Sequence, residues 1–307
     1  MNKVQGAAVY AWGAIRLLRP THLMKNGLIW LPIFFSHRLL EWETFFAAAM
    51  AFLSFSLAAS SVYVFNDICD AGKDRLHPKK CRRPIASGLI PIPVAAGVWI
   101  VMIAGAILLN IFFSARRNGV MLSLILLLVY LVLNVGYSIK WKNIPIVDVA
   151  ILSSGFLIRV LYGGEFYSIQ TSPWLFLTVF SISVFMGLGK RRTELKQLGR
   201  EGRTRTVLKS YTADFLDKNM YLAASLGIVF YSLWSMSVHA GVKVIWSVPL
   251  VAFCFMRYSY VIETKDSNGD PVSLILKDLP LLLLGSVAAL FLFVAFYGTA
   301  LYRILFS

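Results

Sequence analysis

Residues 66–84 read Asn-Asp-Ile-Cys-Asp-Ala-Gly-Lys-Asp-Arg-Leu-His-Pro-Lys-Lys-Cys-Arg-Arg-Pro, placing three carboxylates and six Lys or Arg side chains between two apolar runs. Asp67, Asp70 and Asp74 fall at i, i+3 and i+7, so a helix would put them on one face. Carboxylates so close repel one another unless a hard cation sits among them. Mg²⁺ favours such a site when substrate phosphates complete its shell. Lys73, Arg75, Lys79, Lys80, Arg82 and Arg83 then supply charge-assisted donors for phosphate oxygens that the metal does not reach. A loop that merely orients a protein in a membrane would also be basic, but it has no use for three aligned Asp residues.

The elements that carry this motif are membrane helices. The 307-residue chain is 58% hydrophobic, with a mean hydropathy of +0.70. Apolar runs long enough to cross a bilayer start near Lys25, Glu43, Pro91, Val120, Pro145, Thr171, Asn219, Val244 and Pro280, about nine spans in all. The runs are continuous and do not alternate, which excludes a β-barrel. The expected fold is therefore an all-α polytopic membrane protein, a single integral-membrane domain over residues 1–307. If the N-terminus is inside, the inner segments hold 23 Lys and Arg and the outer segments 5, which predicts a cytoplasmic N-terminus and an outside C-terminus. The net charge of +15 is then explained by inner segments facing anionic lipid heads and phosphorylated substrates, and nucleic acid is not an expected partner. Residues 1–24 read as an interfacial helix, and 66–90 and 190–218 as cytoplasmic loops. No signal peptide is visible. Three cysteines are too few for a disulfide scaffold, and reduced thiols are expected.

Other polar residues stand where membrane physics makes them costly. Asp148 opens the fifth span and Arg159 follows eleven residues on, along the same helical face, with Gly163 and Gly164 beyond. A structural ion pair with another helix and a role in a site are equally open for these two. Arg257 in the eighth span reads as a snorkelling side chain. Tyr137 and Lys140 close the fourth span on one face, which favours a phosphate contact for Lys140 over a plain membrane anchor. Lys190, Arg191, Arg192 and Glu194 sit at the exit of the sixth span, where a carboxylate inside a basic cluster suggests an ordered site. Lys25 and Asn26 stand at the start of the first span, where anchoring is the cheaper explanation.

The Asn-Asp-x-x-Asp-x-x-x-Asp motif after the second of nine helices resembles the UbiA superfamily of intramembrane prenyltransferases. The resemblance implies a helical bundle with a lateral opening to lipid and cytoplasmic caps over a Mg²⁺-diphosphate site. Most members carry a second Asp-rich motif after the sixth helix, whereas this chain has the basic Lys190-Arg191-Arg192-Thr193-Glu194-Leu195. That departure is similar to one branch, the decaprenyl-phosphate phosphoribosyltransferases. So are residues 74–88, Tyr-Ser-Ile-Lys (137–140), Pro-Ile-Val-Asp (145–148), residues 155–164, Gly-Lys-Arg-Arg-Thr-Glu-Leu (189–195) and Lys25-Asn26. Where the branch usually has Leu, this chain has Trp141.

The branch resemblance implies transfer of phosphoribose from 5-phosphoribosyl 1-diphosphate to a polyprenyl phosphate, for lipid-linked arabinose donors of cell-envelope glycans. Asp67, Asp70 and Asp74 would hold Mg²⁺. Asn66, Arg75, Lys79, Arg82, Arg83, Tyr137, Lys140, Asp148, Arg159, Lys190, Arg191, Arg192, Glu194, Lys25 and Asn26 would bind the substrates. The site would face the cytoplasm from the bacterial inner membrane, and a homo-oligomer is compatible with this reading. The alternative is a prenyltransferase that moves an isoprenoid chain to an aromatic or other small acceptor, and a different class is an anion transporter. The latter often shows paired broken helices, which are not seen here.

Overall fold

The structure is a computed structural model that describes residues 17, 19–76, 80–114, 120–201, 206–238, 242–264 and 271–306. Among the described residues it is helical, with no strand. A 3₁₀ helix at Pro20–Trp30 leads into α1 (Leu31–Phe35), followed by α2 (Trp42–Arg75), α3 (Ile92–Ser114) and α4 (Val120–Ile139). Then come α5 (Val147–Phe166), α6 (Pro173–Glu201), α7 (Ala213–Ser237), α8 (Val242–Ile245), α9 (Val248–Thr264), α10 (Pro271–Lys277) and α11 (Leu279–Phe306).

Seven of these, α2 to α7 and α11, are long and apolar enough to cross a membrane, which makes this an integral membrane protein. The sequence reading of nine spans is not matched among the described residues. Its first candidate is the shorter apolar stretch Leu23–Phe35, begun in 3₁₀ geometry and restarted as α-helix at Leu31, with Pro32 next. Its eighth is α9, 17 residues long and separated from α8 by a turn in which the Ser247 N–H donates to the Val244 carbonyl at 3.0 Å. In both places a proline lacking an N–H sits in the first turn of the restarted helix, where no intrahelical donor is needed.

The chain forms two compact units, Met1–Trp141 with Ile158–Gln170 and Lys142–Leu157 with Thr171–Ser307, and α5 contributes to each. In the first unit, α2 buries a run of small residues, Ala47, Ala48, Ala51, Ser54, Ala58 and Ala59. Small side chains let helix backbones come close where lipid offers no hydrophobic drive for helix association. Hydrogen bonds then tie neighbouring helices together. Ser54 Oγ donates to the Ala106 carbonyl at 2.8 Å, Tyr162 donates to Ser54 Oγ at 2.9 Å, and Asn110 Nδ2 donates to Tyr162 at 3.1 Å. At Gly163 a Cβ would collide with the Ile29 carbonyl and lie 2.6 Å from the Tyr167 hydroxyl, which itself donates to that carbonyl. In the second unit Phe185, Leu188, Met220, Tyr258, Ile262 and Leu281 build the core. There Arg257, read from sequence as snorkelling, grips Asp278 with two bonds of 2.9 and 3.0 Å.

Candidate functional site

The acidic motif lies on a helix end rather than in a loop. α2 continues unbroken to Arg75, with Lys73 and Arg75 in its last turn, where cations complement the helix dipole. Asp67 and Asp74 are 3% and 4% exposed, and Asp70 is half-buried. The following loop is held by its own turns. Arg83 N–H donates to the Lys80 carbonyl at 2.9 Å, Ser87 N–H to Arg83 at 2.8 Å, and Ile90 N–H to Pro84 at 3.0 Å. Gly88 takes φ 79°, a left-handed conformation that favours glycine. Ile85 and Ile90 bury against Leu17, Val64 and Ala71. That anchoring brings one cation back to the carboxylates: Arg83 Nη1 lies 3.0 Å from Asp67 Oδ1 and 2.7 Å from Asp74 Oδ2. Arg19, which the sequence reading placed in an interfacial helix, also donates to Asp67 Oδ1 and lies 5.1 Å above the Tyr63 ring. Arg75, Lys80 and Arg82 are exposed. Lys79 and His77 lie outside the described residues, as do residues 1–16 of the expected interfacial helix.

Among the described residues no three His, Cys, Asp or Glu side chains gather closely enough to hold a metal ion. The expected cradle of three carboxylates is therefore not formed. Asp67 and Asp74 converge, and a guanidinium lies where they meet. The donor chemistry nonetheless fits a hard divalent cation. Two buried carboxylates within reach of one point are what Mg²⁺ takes from a protein when substrate phosphates and water fill its other positions.

A second polar group in the same unit surrounds Arg159, which is 5% exposed on α5. Its Nε donates to Asn26 Oδ1 at 2.8 Å and its Nη2 to the Tyr130 hydroxyl at 3.2 Å. The guanidinium also lies 5.0 Å over both the Phe55 and Tyr130 rings, a cation–π arrangement. Asn26 is itself fixed by donating to Ser56 Oγ at 3.0 Å. Lys25 and Tyr137 are half-buried, as is Asn66 on α2, and Lys140 is exposed. Trp141 lies so close over Gly136 that a Cβ there would overlap its ring, which gives the indole a seat in this chain.

The second unit holds the remaining site candidates. α6 also runs on past its apolar part, to Glu201, so Lys190 to Glu194 are helical. Lys and Arg are good helix formers, and Arg191 and Thr193 are buried, which favours continuation over a loop. Arg191 pairs through Nε with Asp148 and through Nη1 with Glu194, and Arg191 and Asp148 are both 0% exposed. Tyr211 donates to Asp148 Oδ1 at 2.6 Å and accepts the Ile146 N–H at 2.6 Å. Burial and the neighbouring carboxylate push the Tyr211 hydroxyl up to about 12. Arg192 pairs with Asp217 at 2.7 Å, and Lys190 is half-buried. Of the two readings left open for Asp148, the structure forms the ion pair, with Arg191 as partner. Arg19, Tyr130 and Tyr211 were not singled out from sequence as site residues. Arg and Tyr are frequent near membrane surfaces, so their types carry no signal until their partners are known.

Residues 28–279 match the UbiA prenyltransferase family. The chain is 34% identical to decaprenyl-phosphate phosphoribosyltransferase of Corynebacterium glutamicum, covering 87% of this chain and 81% of that protein. It is 32% identical to the enzyme of the same name from Mycolicibacterium smegmatis, covering 96% and 93%. In fold it is similar to a UbiA homolog from Archaeoglobus fulgidus bound to GPP and Mg²⁺, with a TM-score of 0.70 at 17% identity over 92% of this chain and 98% of that one. A family match over most of its length and relatives this similar end to end make the chain a member of the UbiA prenyltransferase family.

Proposed function

We propose that the protein transfers the 5-phosphoribosyl group from 5-phosphoribosyl 1-diphosphate to a polyprenyl phosphate, releasing pyrophosphate. The observation that carries this reading is the identity of 32–34%, over nearly the whole of both chains, to relatives named for that transfer. The basic segment Lys190–Glu194 supports it too, because Arg191 there is committed to Asp148 and Glu194 and the segment offers no second acidic cradle. That weakens the prenyl-diphosphate alternative, which relies on two acidic motifs.

Asp67 and Asp74, with Asp70 one turn beyond Asp67, are the proposed Mg²⁺ ligands. A bound Mg²⁺ would neutralise charge on the departing pyrophosphate. Arg19, Arg75, Lys79, Arg82 and Arg83 bind the diphosphate, and Asn66 binds a ribose hydroxyl or orients an Asp. Lys140 and Lys190 hold the other phosphates. Tyr137 lines the site beside Lys140, and Lys25, Asn26 and Arg159 take the sugar phosphate or the lipid phosphate. Asp148, Arg191, Arg192 and Glu194 act through position, fixing the helix end that presents Lys190. The acceptor phosphate is already anionic at neutral pH, so the residues need only align its oxygen with the anomeric carbon. The reading places this chemistry on the cytoplasmic side of the bacterial inner membrane.

The test is an assay of purified protein in detergent with labelled 5-phosphoribosyl diphosphate, decaprenyl phosphate and Mg²⁺. Pyrophosphate release that requires the lipid is the expected result. Release from a prenyl diphosphate with an aromatic acceptor, and none with the phosphoribosyl donor, would favour the alternative.

A further inference from the structure

We infer that Arg19 and Arg83 are exchangeable counter-ions. They pair with Asp67 and Asp74 in this structure and move to the donor's phosphates when a metal takes their place. The inference rests on the metal reading above and extends it to a residue, Arg19, that no motif marks. The geometry is specific. One nitrogen of Arg83 bridges Asp67 and Asp74 at 3.0 and 2.7 Å, and Arg19 shares the same oxygen of Asp67. A divalent cation needs those oxygens. Two buried carboxylates with no counter-charge would be strongly unfavourable. The arginines relieve that cost and, by the same contacts, compete with the metal.

Displacement does not remove these guanidiniums from the site. Arg83 remains tethered by the turns from Lys80 to Ile90, and Arg19 remains against the Tyr63 ring. Each then offers a planar pair of donors suited to a diphosphate beside the metal. Metal binding therefore frees the groups that the donor needs, and the donor stabilises the arrangement in which the metal fits. The two ligands bind with positive coupling, and the metal alone binds weakly because the competent state is a minor one.

The experiment uses the full-length protein in detergent, free Mn²⁺ measured by electron paramagnetic resonance, and pyrophosphate as the donor probe. In the natural sequence, pyrophosphate is expected to tighten Mn²⁺ binding about tenfold, within the usual range of coupling between sites. Arg83→Gln should bind Mn²⁺ several-fold more tightly without pyrophosphate and lose most of the pyrophosphate enhancement. Arg19→Gln should do the same to a smaller extent. Lys277→Gln removes an exposed charge from the second unit and should change neither quantity. Thermal unfolding of each variant establishes that it is folded, and Arg19→Gln carries the test if Arg83→Gln is not.

Unchanged or weaker Mn²⁺ binding in both arginine variants overturns the inference. So does a Lys277→Gln effect equal to that of Arg83→Gln, which would reduce the result to net charge. Failure of the underlying metal reading has a different signature: Mn²⁺ binding that is indifferent to Asp67→Asn.

Discussion

Tyr211 donates a 2.6 Å hydrogen bond to Asp148, and through it the segment before α7 is tied to the first turn of α5. The same hydroxyl accepts from the Ile146 N–H, so one oxygen joins a side chain and a backbone group. Because the Tyr211 hydroxyl is held up near 12, it stays protonated through the neutral range.

The pH dependence follows from that elevation. The folded value lies above the ordinary value of 10.0, so the stabilisation is complete below pH 10 and disappears as pH rises through about 12. Thermal unfolding in detergent should show a loss of stability across that window in the natural sequence. Tyr211→Phe should be about 1–2 kcal/mol less stable at pH 7, having left Ile146 N–H and Asp148 short of a partner, and should lack this component of the alkaline loss. An identical alkaline transition in both proteins would contradict the assignment.

Arg191 and Asp148 form a fully buried pair, and removing Arg191 leaves an uncompensated charge on Asp148. Arg191→Leu should cost about 3–5 kcal/mol, and Asp148→Leu less, because Arg191 keeps Glu194. The double variant should cost clearly less than the two together, because the stranded charge is gone. Additive losses in a double-mutant cycle would show that the two residues do not depend on each other.

Gly163→Ala places a methyl group against the Ile29 carbonyl and the Tyr167 hydroxyl. Both neighbours are bonded to each other, so neither yields cheaply. A loss of about 1–3 kcal/mol is expected, as for other overpacked interiors. Gly285→Ala, where nothing lies within 4 Å, serves as the neutral comparison. Equal melting temperatures for the two variants would argue against the close approach.

Asp67→Asn should abolish Mg²⁺-dependent pyrophosphate release, with the protein still folded by thermal unfolding. The amide keeps hydrogen-bonding capacity but removes the charge with which two guanidiniums pair and on which the proposed divalent cation would depend. Retained turnover at normal Mg²⁺ concentrations would remove the metal role from this residue.

The helical membrane character was legible because continuous apolar runs are what a bilayer demands, and the acidic motif because its i, i+3, i+7 spacing is helical. The two expected spans without a matching long helix among the described residues share a cause. Lys25 and Val244 start runs with the right composition but with a proline soon after, and composition alone does not register where a helix restarts. The segments called cytoplasmic loops, 66–90 and 190–218, begin as charged helix ends, because Lys, Arg and Asp extend a helix once it leaves lipid. The partners of Asp148 and Asp67 were beyond the sequence altogether. Arg191 is 43 residues from Asp148, and Arg19 is 48 residues from Asp67, and spacing within one helix says nothing of such pairs.

α2 is 34 residues long, about 51 Å at the usual rise, against a hydrocarbon layer of about 30 Å. Even with the roughly 20° lean common to spanning helices, its final turns stand clear of the acyl chains like a jetty above the waterline. Asp67, Asp70 and Asp74 ride on that overhang. On the function proposed above, a highly charged sugar diphosphate docks there from water, and a lipid phosphate need only raise its head to meet it.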